Sequence, residues 1–167
     1  MSNTTTAITT DTEKHENYIR EAIQIANSAK SNGNHPFGAL LVYNNEIILR
    51  AENTVSTLNN PTHHAELNLI NKAYETSIIS NDIIPKCILY TSCEPCPMCT
   101  GAIFWAGIRQ VVYSLPALRL GEIANDTFCP PCSTLFERAG IDKKTDVVGP
   151  ILASEGEAIH LNFWDNM

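Results

Sequence analysis

The stretch TSCEPCPMCTGAIFWA, residues 91–106, decides the fold, because Pro95-Cys96-Pro97-Met98-Cys99 places two cysteines three positions apart. The apolar run before it, residues 88–91, predicts a buried strand. Pro97 suits the first position of a helix, so the chain is expected to pass from strand through cysteine loop into helix. Residues three apart share a helix face, so both thiols can reach one bound ion.

A histidine and a glutamate lie some thirty residues upstream, in His64-Ala65-Glu66. One imidazole and two thiolates supply three ligands of a tetrahedral zinc ion, and an open fourth position is typical of catalytic sites. The H-x-E…P-C-x-x-C spacing is typical of zinc-dependent base deaminases, in which the glutamate moves protons. We therefore predict one Zn²⁺ per subunit on His64, Cys96 and Cys99, with Glu66 as the catalytic residue.

The two-residue spacing also predicts where the histidine lies. His64 and Glu66 would be about 200° apart on a regular helix, so they converge only if His64 precedes the regular turns. His63 is a rival ligand, but it would place Glu66 three positions on and not two.

A second cysteine pair, Cys129 and Cys132, leaves an alternative open. Together with Cys96 and Cys99 it could form a structural Cys₄ zinc site of the kind found in zinc ribbons. That site would leave His64 and Glu66 without a role.

Composition predicts one soluble domain. The chain has 167 residues, 44 % of them apolar and 17 % charged, and it contains no apolar run long enough for a membrane span. We expect residues 1–12, which are polar and Thr-rich, to be a disordered lead-in and residues 13–167 to form a single domain. Without a secretory signal pattern, the six cysteines are expected to be reduced thiols in the cytoplasm.

Hydrophobic periodicity predicts alternating helices and strands. After a helix and a two-stranded hairpin, the order implies a mixed α/β sheet with helices on both faces and with strands four and five parallel. Ser154 and Glu157 have the spacing of a capping box at the last helix. The expected helices span residues 13–31, 64–75, 98–106, 132–139 and 154–164, and the expected strands span residues 39–43, 46–51, 88–91, 110–113 and 146–148.

Charge argues against a nucleic-acid substrate. The formal net charge is −7, and the few basic residues are scattered, whereas proteins that grip a phosphate backbone concentrate Lys and Arg.

At residues 35–39, 61–66 and 91–106 the chain resembles the cytidine deaminase-like superfamily, and is most similar to bacterial guanine deaminases and related nucleobase or nucleoside deaminases. The resemblance implies a three-layer α/β/α fold with a five-stranded sheet and a homodimer or larger oligomer. It also implies that Asn53, Phe37, Asp126 and the backbone N–H of Ala65 contact the substrate.

The expected function is hydrolytic deamination of a free nucleobase or nucleoside, with guanine as the leading substrate. Two alternatives remain: a tRNA adenosine or cytidine deaminase, and a non-catalytic deaminase fold that serves as an interaction module. Trp164 is expected to pack on the last helix, with a lid as the alternative role, and His35 is expected to be an ordinary surface or satisfied histidine.

Overall fold

The computed structural model describes residues 11–76, 80, 82–126, 129–138 and 144–166. Within them, a mixed five-stranded sheet has the order β2-β1-β3-β4-β5. The strands are β1 (Gly38–Tyr43), β2 (Glu46–Glu52), β3 (Ile88–Cys93), β4 (Gln110–Leu115) and β5 (Asp146–Val148). The helices are α1 (Asp11–Ser31), α2 (Val55–Leu58), α3 (Ala65–Glu75), α4 (Pro97–Ala106), α5 (Ala117–Ala124), α6 (Cys132–Glu137) and α7 (Ala153–Ala158). Short 3₁₀ turns cover Ile84–Lys86 and Trp164–Asn166.

The strand directions agree with the prediction. β1 runs antiparallel to β2 and β3, whereas β4 runs parallel to both β3 and β5. The mixed sheet and the parallel pairing of the fourth and fifth strands are therefore confirmed. Asn44 and Asn45 join β1 to β2 with φ of 50° and 64°, the left-handed pair that a type I′ hairpin turn requires.

Side chains of the central strands alternate between two buried clusters. Leu41 and Val111 pack with residues of α3, α4 and α6 on one face, and Leu40 and Val112 pack with residues of α1 on the other. This is the two-residue period of a strand that is covered on both sides. The expected three-layer α/β/α fold is confirmed. No helix in the described ranges is long and apolar enough to cross a membrane.

α1 lies unusually close to the start of β1. A Cβ atom on Gly38 would lie 2.5 Å from both the carbonyl oxygen of Ala22 and the amide nitrogen of Ala26. The amide of Gly38 also donates to the Ser92 hydroxyl at 3.1 Å. Only glycine permits this approach, and it fixes the position of the preceding residue, Phe37.

Some local predictions need correction. α1 begins at Asp11, so Asp11 and Thr12 belong to the helix and not to the expected lead-in, and the remainder of that lead-in lies outside the described residues. The predicted loop between Asn53 and Thr62 contains α2, and α5 was not predicted at all. The predicted end of α6, at residues 138–139, falls partly outside the described residues; the described helix ends at Glu137.

The predicted capping box at the last helix is wrong. Leu152 is the residue before α7, with φ of 54°, and the helix ends at Ala158. The Ser114 hydroxyl donates to the Leu152 carbonyl at 3.0 Å, so β4 fixes where the helix starts. Glu157 binds Arg119 through two hydrogen bonds and does not cap the helix. Tertiary contacts therefore override the local signal.

The segment after α7 folds back into an aromatic cluster. His160 is fully buried, with its ring centroid 5.1 Å from that of Phe37 and 6.1 Å from that of Trp164. Neither ring nitrogen has a hydrogen-bond partner among the described residues. Burial, and secondarily the charge of Lys30, lowers the pKa of His160 to about 4.

This histidine makes the fold acid-sensitive. In the unfolded chain, His160 takes up a proton below its ordinary pKa of about 6.5. In the folded chain it stays neutral until about pH 4. The free energy of unfolding therefore falls as the pH drops between these two values. Between pH 6.5 and 5 we expect the free energy of unfolding of the metal-free protein to fall by about 1–2 kcal/mol more than that of His160→Phe. Urea titrations at the two pH values measure the difference, and equal pH dependence in the two proteins would contradict it.

Candidate active site

Three metal-binding side chains meet where α3 and α4 begin. His64 directly precedes α3 in an extended conformation, and Cys96 directly precedes α4 in the same way. The His64 Nδ1 atom lies 3.5 Å from the Cys96 sulfur and 3.7 Å from the Cys99 sulfur. His64 therefore lies at the helix edge, as the spacing predicts.

These separations fit a zinc ion. Ligands of a tetrahedral zinc at ordinary Zn–N and Zn–S bond lengths lie about 3.6 Å apart, close to both measured distances. Within the described residues, one group of three or more His, Cys, Asp or Glu side chains could hold a metal ion: it consists of His64, Cys96 and Cys99, whose ligand atoms all lie within 4.8 Å of one another. The three residues are positioned to hold a metal ion.

A hydrogen bond between Cys96 and Cys99 shares one thiol proton between the two sulfur atoms. A hydrogen bond from Cys99, supported by one from His64, lowers the pKa of Cys96 to about 4. The same bond and burial raise the pKa of Cys99. A bound metal replaces that shared proton, because thiolates and not thiols are its ligands.

Glu66 lies beside this cluster and inside the protein. Although it belongs to the first turn of α3, its side chain is only 6 % exposed. The Thr91 hydroxyl of β3 donates to its Oε1 atom at 2.9 Å. Burial, and then the thiolate of Cys96, raises the pKa of Glu66. The Thr91 hydroxyl thus anchors one carboxylate oxygen of Glu66.

The cluster opens into a cavity of about 540 Å³. His64, Glu66 and Cys96 form part of its lining, and another part, called the cavity wall below, comes from described residues of α5 and of the segment after it. No lysine or arginine is among its described lining residues. The remaining lining residues are His35, Phe37, Val55, Pro61, Cys93, Glu94, Ala117, Leu120, Ala124, Asn125, Asp126, Cys129 and Trp164.

The residues expected to contact substrate fall into two groups. Phe37 and Asp126 line the cavity. Asn53 and Ala65 are fully buried and are not among the lining residues. The Asn53 Oδ1 atom accepts a hydrogen bond from the Val55 amide at 3.0 Å, and its Nδ2 atom has no partner among the described residues.

Two aromatic residues assigned to other roles also line the cavity. Trp164 and His35 contact each other edge to face, with ring centroids 5.3 Å apart. Trp164 therefore lies where the alternative role of a lid would place it, whereas His35, expected to be an ordinary surface or satisfied histidine, is a lining residue of the cavity. The adjacent aromatics Phe163 and Trp164 were the available signal, because two large aromatic side chains next to each other favour burial against another part of the protein.

The second cysteine pair is separate from the metal cluster. Cys132 is buried, and its amide donates to Glu94 at 2.8 Å; burial raises the pKa of its thiol. Cys129 lines the cavity, and burial raises the pKa of its thiol too. Among the described residues, neither Cys129 nor Cys132 joins the group of ligand atoms that lie within 4.8 Å of one another, which favours the His64 cluster over the Cys₄ alternative.

Residues 12–115 match the family model described as the cytidine and deoxycytidylate deaminase zinc-binding region. The chain belongs to this zinc-binding deaminase family. Its members include proteins named for different substrates.

Three relatives illustrate that range. The probable cytosine deaminase of Schizosaccharomyces pombe is 36 % identical over 157 residues, or 92 % of this chain and 94 % of that protein. The guanine deaminase of Bacillus subtilis is 44 % identical over 101 residues, or 60 % of this chain and 64 % of that protein. A solved structure of a tRNA:A34 deaminase, 28 % identical, superposes with a TM-score of 0.66 over 86 % of this chain and 98 % of that one.

Metal content tests the ligand assignment. We expect about one zinc ion per chain in the purified protein, and near-complete loss in His64→Ala and Cys96→Ser, because too few ligands remain for a tight tetrahedral site. The double variant Cys129→Ser/Cys132→Ser is expected to keep its zinc. Elemental analysis of dialysed proteins gives the stoichiometry, and zinc loss in the double variant would favour the Cys₄ site instead.

Proposed function

We propose that this protein hydrolytically deaminates a free nucleobase. The observation that carries the proposal is the buried Glu66 carboxylate, which borders the same cavity as the three-residue metal cluster. A ring that enters this cavity meets a proton carrier and a metal centre at one place. The reaction replaces a ring amino group by a carbonyl oxygen and releases ammonia.

Glu66 carries the protons in this scheme. Zinc, when bound by His64, Cys96 and Cys99, lowers the pKa of water toward 7 and so supplies a nucleophile at neutral pH. Glu66 accepts the two protons of the attacking water in turn: it passes the first to a ring nitrogen and the second to the leaving amine, which departs as ammonia. Thr91 holds one oxygen of Glu66 and orients the carboxylate for these transfers.

Charge favours an uncharged substrate over a nucleotide or an RNA. The cavity lining contains the carboxylates of Glu66, Glu94 and Asp126 and no lysine or arginine among its described residues. A phosphate group would find no cationic partner there. The net charge of −7 also disfavours approach to a polynucleotide, so the tRNA alternative is the weaker one. Glu66 and all three ligands are present, which speaks against a non-catalytic module.

The ring would be held by stacking and by a few hydrogen bonds. Phe37 offers an aromatic face for the base. The buried Nδ2 atom of Asn53 has no partner among the described residues, and a buried donor of this kind needs an acceptor; a ring carbonyl oxygen that reaches it past the lining residues would supply one. The Ala65 amide and the Asp126 carboxylate are the further proposed contacts.

Cytosine is the first candidate base, and guanine is the second. Similarity to the S. pombe protein covers 92 % of the chain, an extent that reaches beyond the metal motifs into the segments that wall the cavity. Similarity to the B. subtilis guanine deaminase covers 60 %, and guanine is the base that the motif resemblance implies. The cavity wall from α5 onward decides between them.

The proposed compartment is the cytoplasm. All six cysteines are free thiols, as expected in a reducing environment.

Removing the carboxylate tests the chemistry. In Glu66→Gln we expect ammonia release from the preferred base to fall by about a hundredfold or more, because the amide cannot accept the proton, while zinc content stays unchanged. Glu75→Gln, an exposed change on the same helix, is the matched control and is expected to retain full activity. Coupled ammonia assays measure both, and undiminished turnover by Glu66→Gln would remove Glu66 from the mechanism.

The proposed assembly is a homodimer that forms through α4. This helix is apolar along its whole length and carries no charged residue, yet Trp105 is 81 % exposed and the surface above Gly101 is open. A helix that is apolar on all sides is normally buried. A second copy suits this uncharged face, since two chains of charge −7 approach most easily where neither presents charge, and a two-fold contact is self-complementary.

Trp105→Glu tests this interface. Placing a charge at the centre of a two-fold contact puts two like charges together, so we expect dimers at micromolar concentration to become monomers. Leu118→Glu, a similar change at an exposed residue of α5, is the control and is expected to leave the dimer intact. Sedimentation velocity distinguishes the states, and a Trp105→Glu dimer would place the interface elsewhere.

A further inference from the structure

Glu94 is a buried carboxylate that the proposed chemistry does not use. It directly follows β3 in the metal loop, residues 94–96, which leads to the ligand Cys96, and its side chain is 7 % exposed. Its Oε2 atom accepts a hydrogen bond from the Ala117 amide at 2.9 Å. Its Oε1 atom accepts one from the Cys132 amide at 2.8 Å.

These two amides belong to the first residues of two helices. Ala117 begins α5 and Cys132 begins α6, and neither helix has a side-chain cap from the residue before it. The Glu94 amide also donates to the Leu115 carbonyl at 2.8 Å. The backbone of this one residue therefore binds the end of β4, and its side chain binds the starts of α5 and α6. All three are thereby joined to the loop that leads to Cys96.

The segment held between those two amides is the wall of the cavity. Its lining residues are Ala117, Leu120, Ala124, Asn125, Asp126 and Cys129. Within this wall, α5 packs closely on the residues that follow it, because a Cβ atom on Gly121 would lie 2.8 Å from the Asp126 carbonyl oxygen.

We infer that Glu94 is a positioning residue that sets the distance between the cavity wall and the metal centre, and thereby the affinity for the base. The inference rests on the proposed function. Glu94 need not touch the substrate for this role: a charged acceptor with two backbone donors fixes the wall more firmly than neutral hydrogen bonds would. Loss of either bond leaves a buried amide unpaired, and the wall moves to satisfy it.

The test separates positioning from general stability. Glu94→Gln has the same shape but presents an NH₂ group to one of the two amides. We expect its KM for the preferred base to rise about tenfold, the effect of one lost charge-assisted hydrogen bond, with kcat within about threefold and zinc content unchanged. Glu94→Ala loses both bonds and should raise KM further. Glu137→Gln, on the exposed surface of α6, is the matched control and is expected to leave KM unchanged.

Amide exchange provides a readout that does not depend on activity. In Glu94→Gln, hydrogen–deuterium exchange at the Ala117 and Cys132 amides should accelerate, while exchange in the central strands stays slow. A purely structural role predicts a lower Tm with unchanged KM, and that result would overturn the inference. So would zinc loss, which would place the effect on the metal loop. If the wild-type protein turned over no base at all, the proposed function would fail. Unchanged exchange at the Ala117 and Cys132 amides in Glu94→Gln would separately show that Glu94 does not hold the cavity wall.

Discussion

The convergence of three ligand atoms at the starts of α3 and α4 is the constraint on which the rest of this structure depends. His64 and Cys96 are 32 residues apart in sequence, yet their side chains lie 3.5 Å apart. β1 and β3 are neighbours in the sheet, and both helices pack on the same face of it. The start of each helix therefore faces the other, and the free amides at these ends favour the anionic thiolates.

The cavity is assembled around that point from parts that are distant in the chain. Gly38 lets α1 approach β1 closely and so fixes Phe37. Trp164 closes another side, since the chain turns back after α7. The two hydrogen bonds between Arg119 and Glu157 link α5 to α7, although such an exposed pair adds little stability. The result is a site of limited size that contains acidic and aromatic groups, suited to an uncharged ring.

Much of this arrangement could be predicted, and the remainder could not, for physical reasons. Hydrophobic periodicity predicts the order of helices and strands along the chain, because it depends on neighbours within a few residues. The H-x-E…P-C-x-x-C motif predicts the ligand cluster, although His64 lies 32 residues before Cys96. The position of His64 before α3 follows from helix geometry alone. His35 and Trp164 are 129 residues apart in sequence, so no local pattern reveals their contact. At Ser154 the local capping signal was wrong, because the bond from Ser114 to Leu152 fixes the helix start.

The function that we propose for this site is the release of ammonia from a small uncharged ring. Its most direct test is the rate of ammonia release by the zinc-loaded protein with cytosine, guanine, cytidine, deoxycytidylate and a short RNA stem-loop, each at the same concentration. We expect turnover of a free base, with cytosine ahead of guanine, and none of the nucleotide or the RNA. Turnover confined to the RNA or to deoxycytidylate would contradict this function, because the described lining of the cavity offers a phosphate no cationic partner.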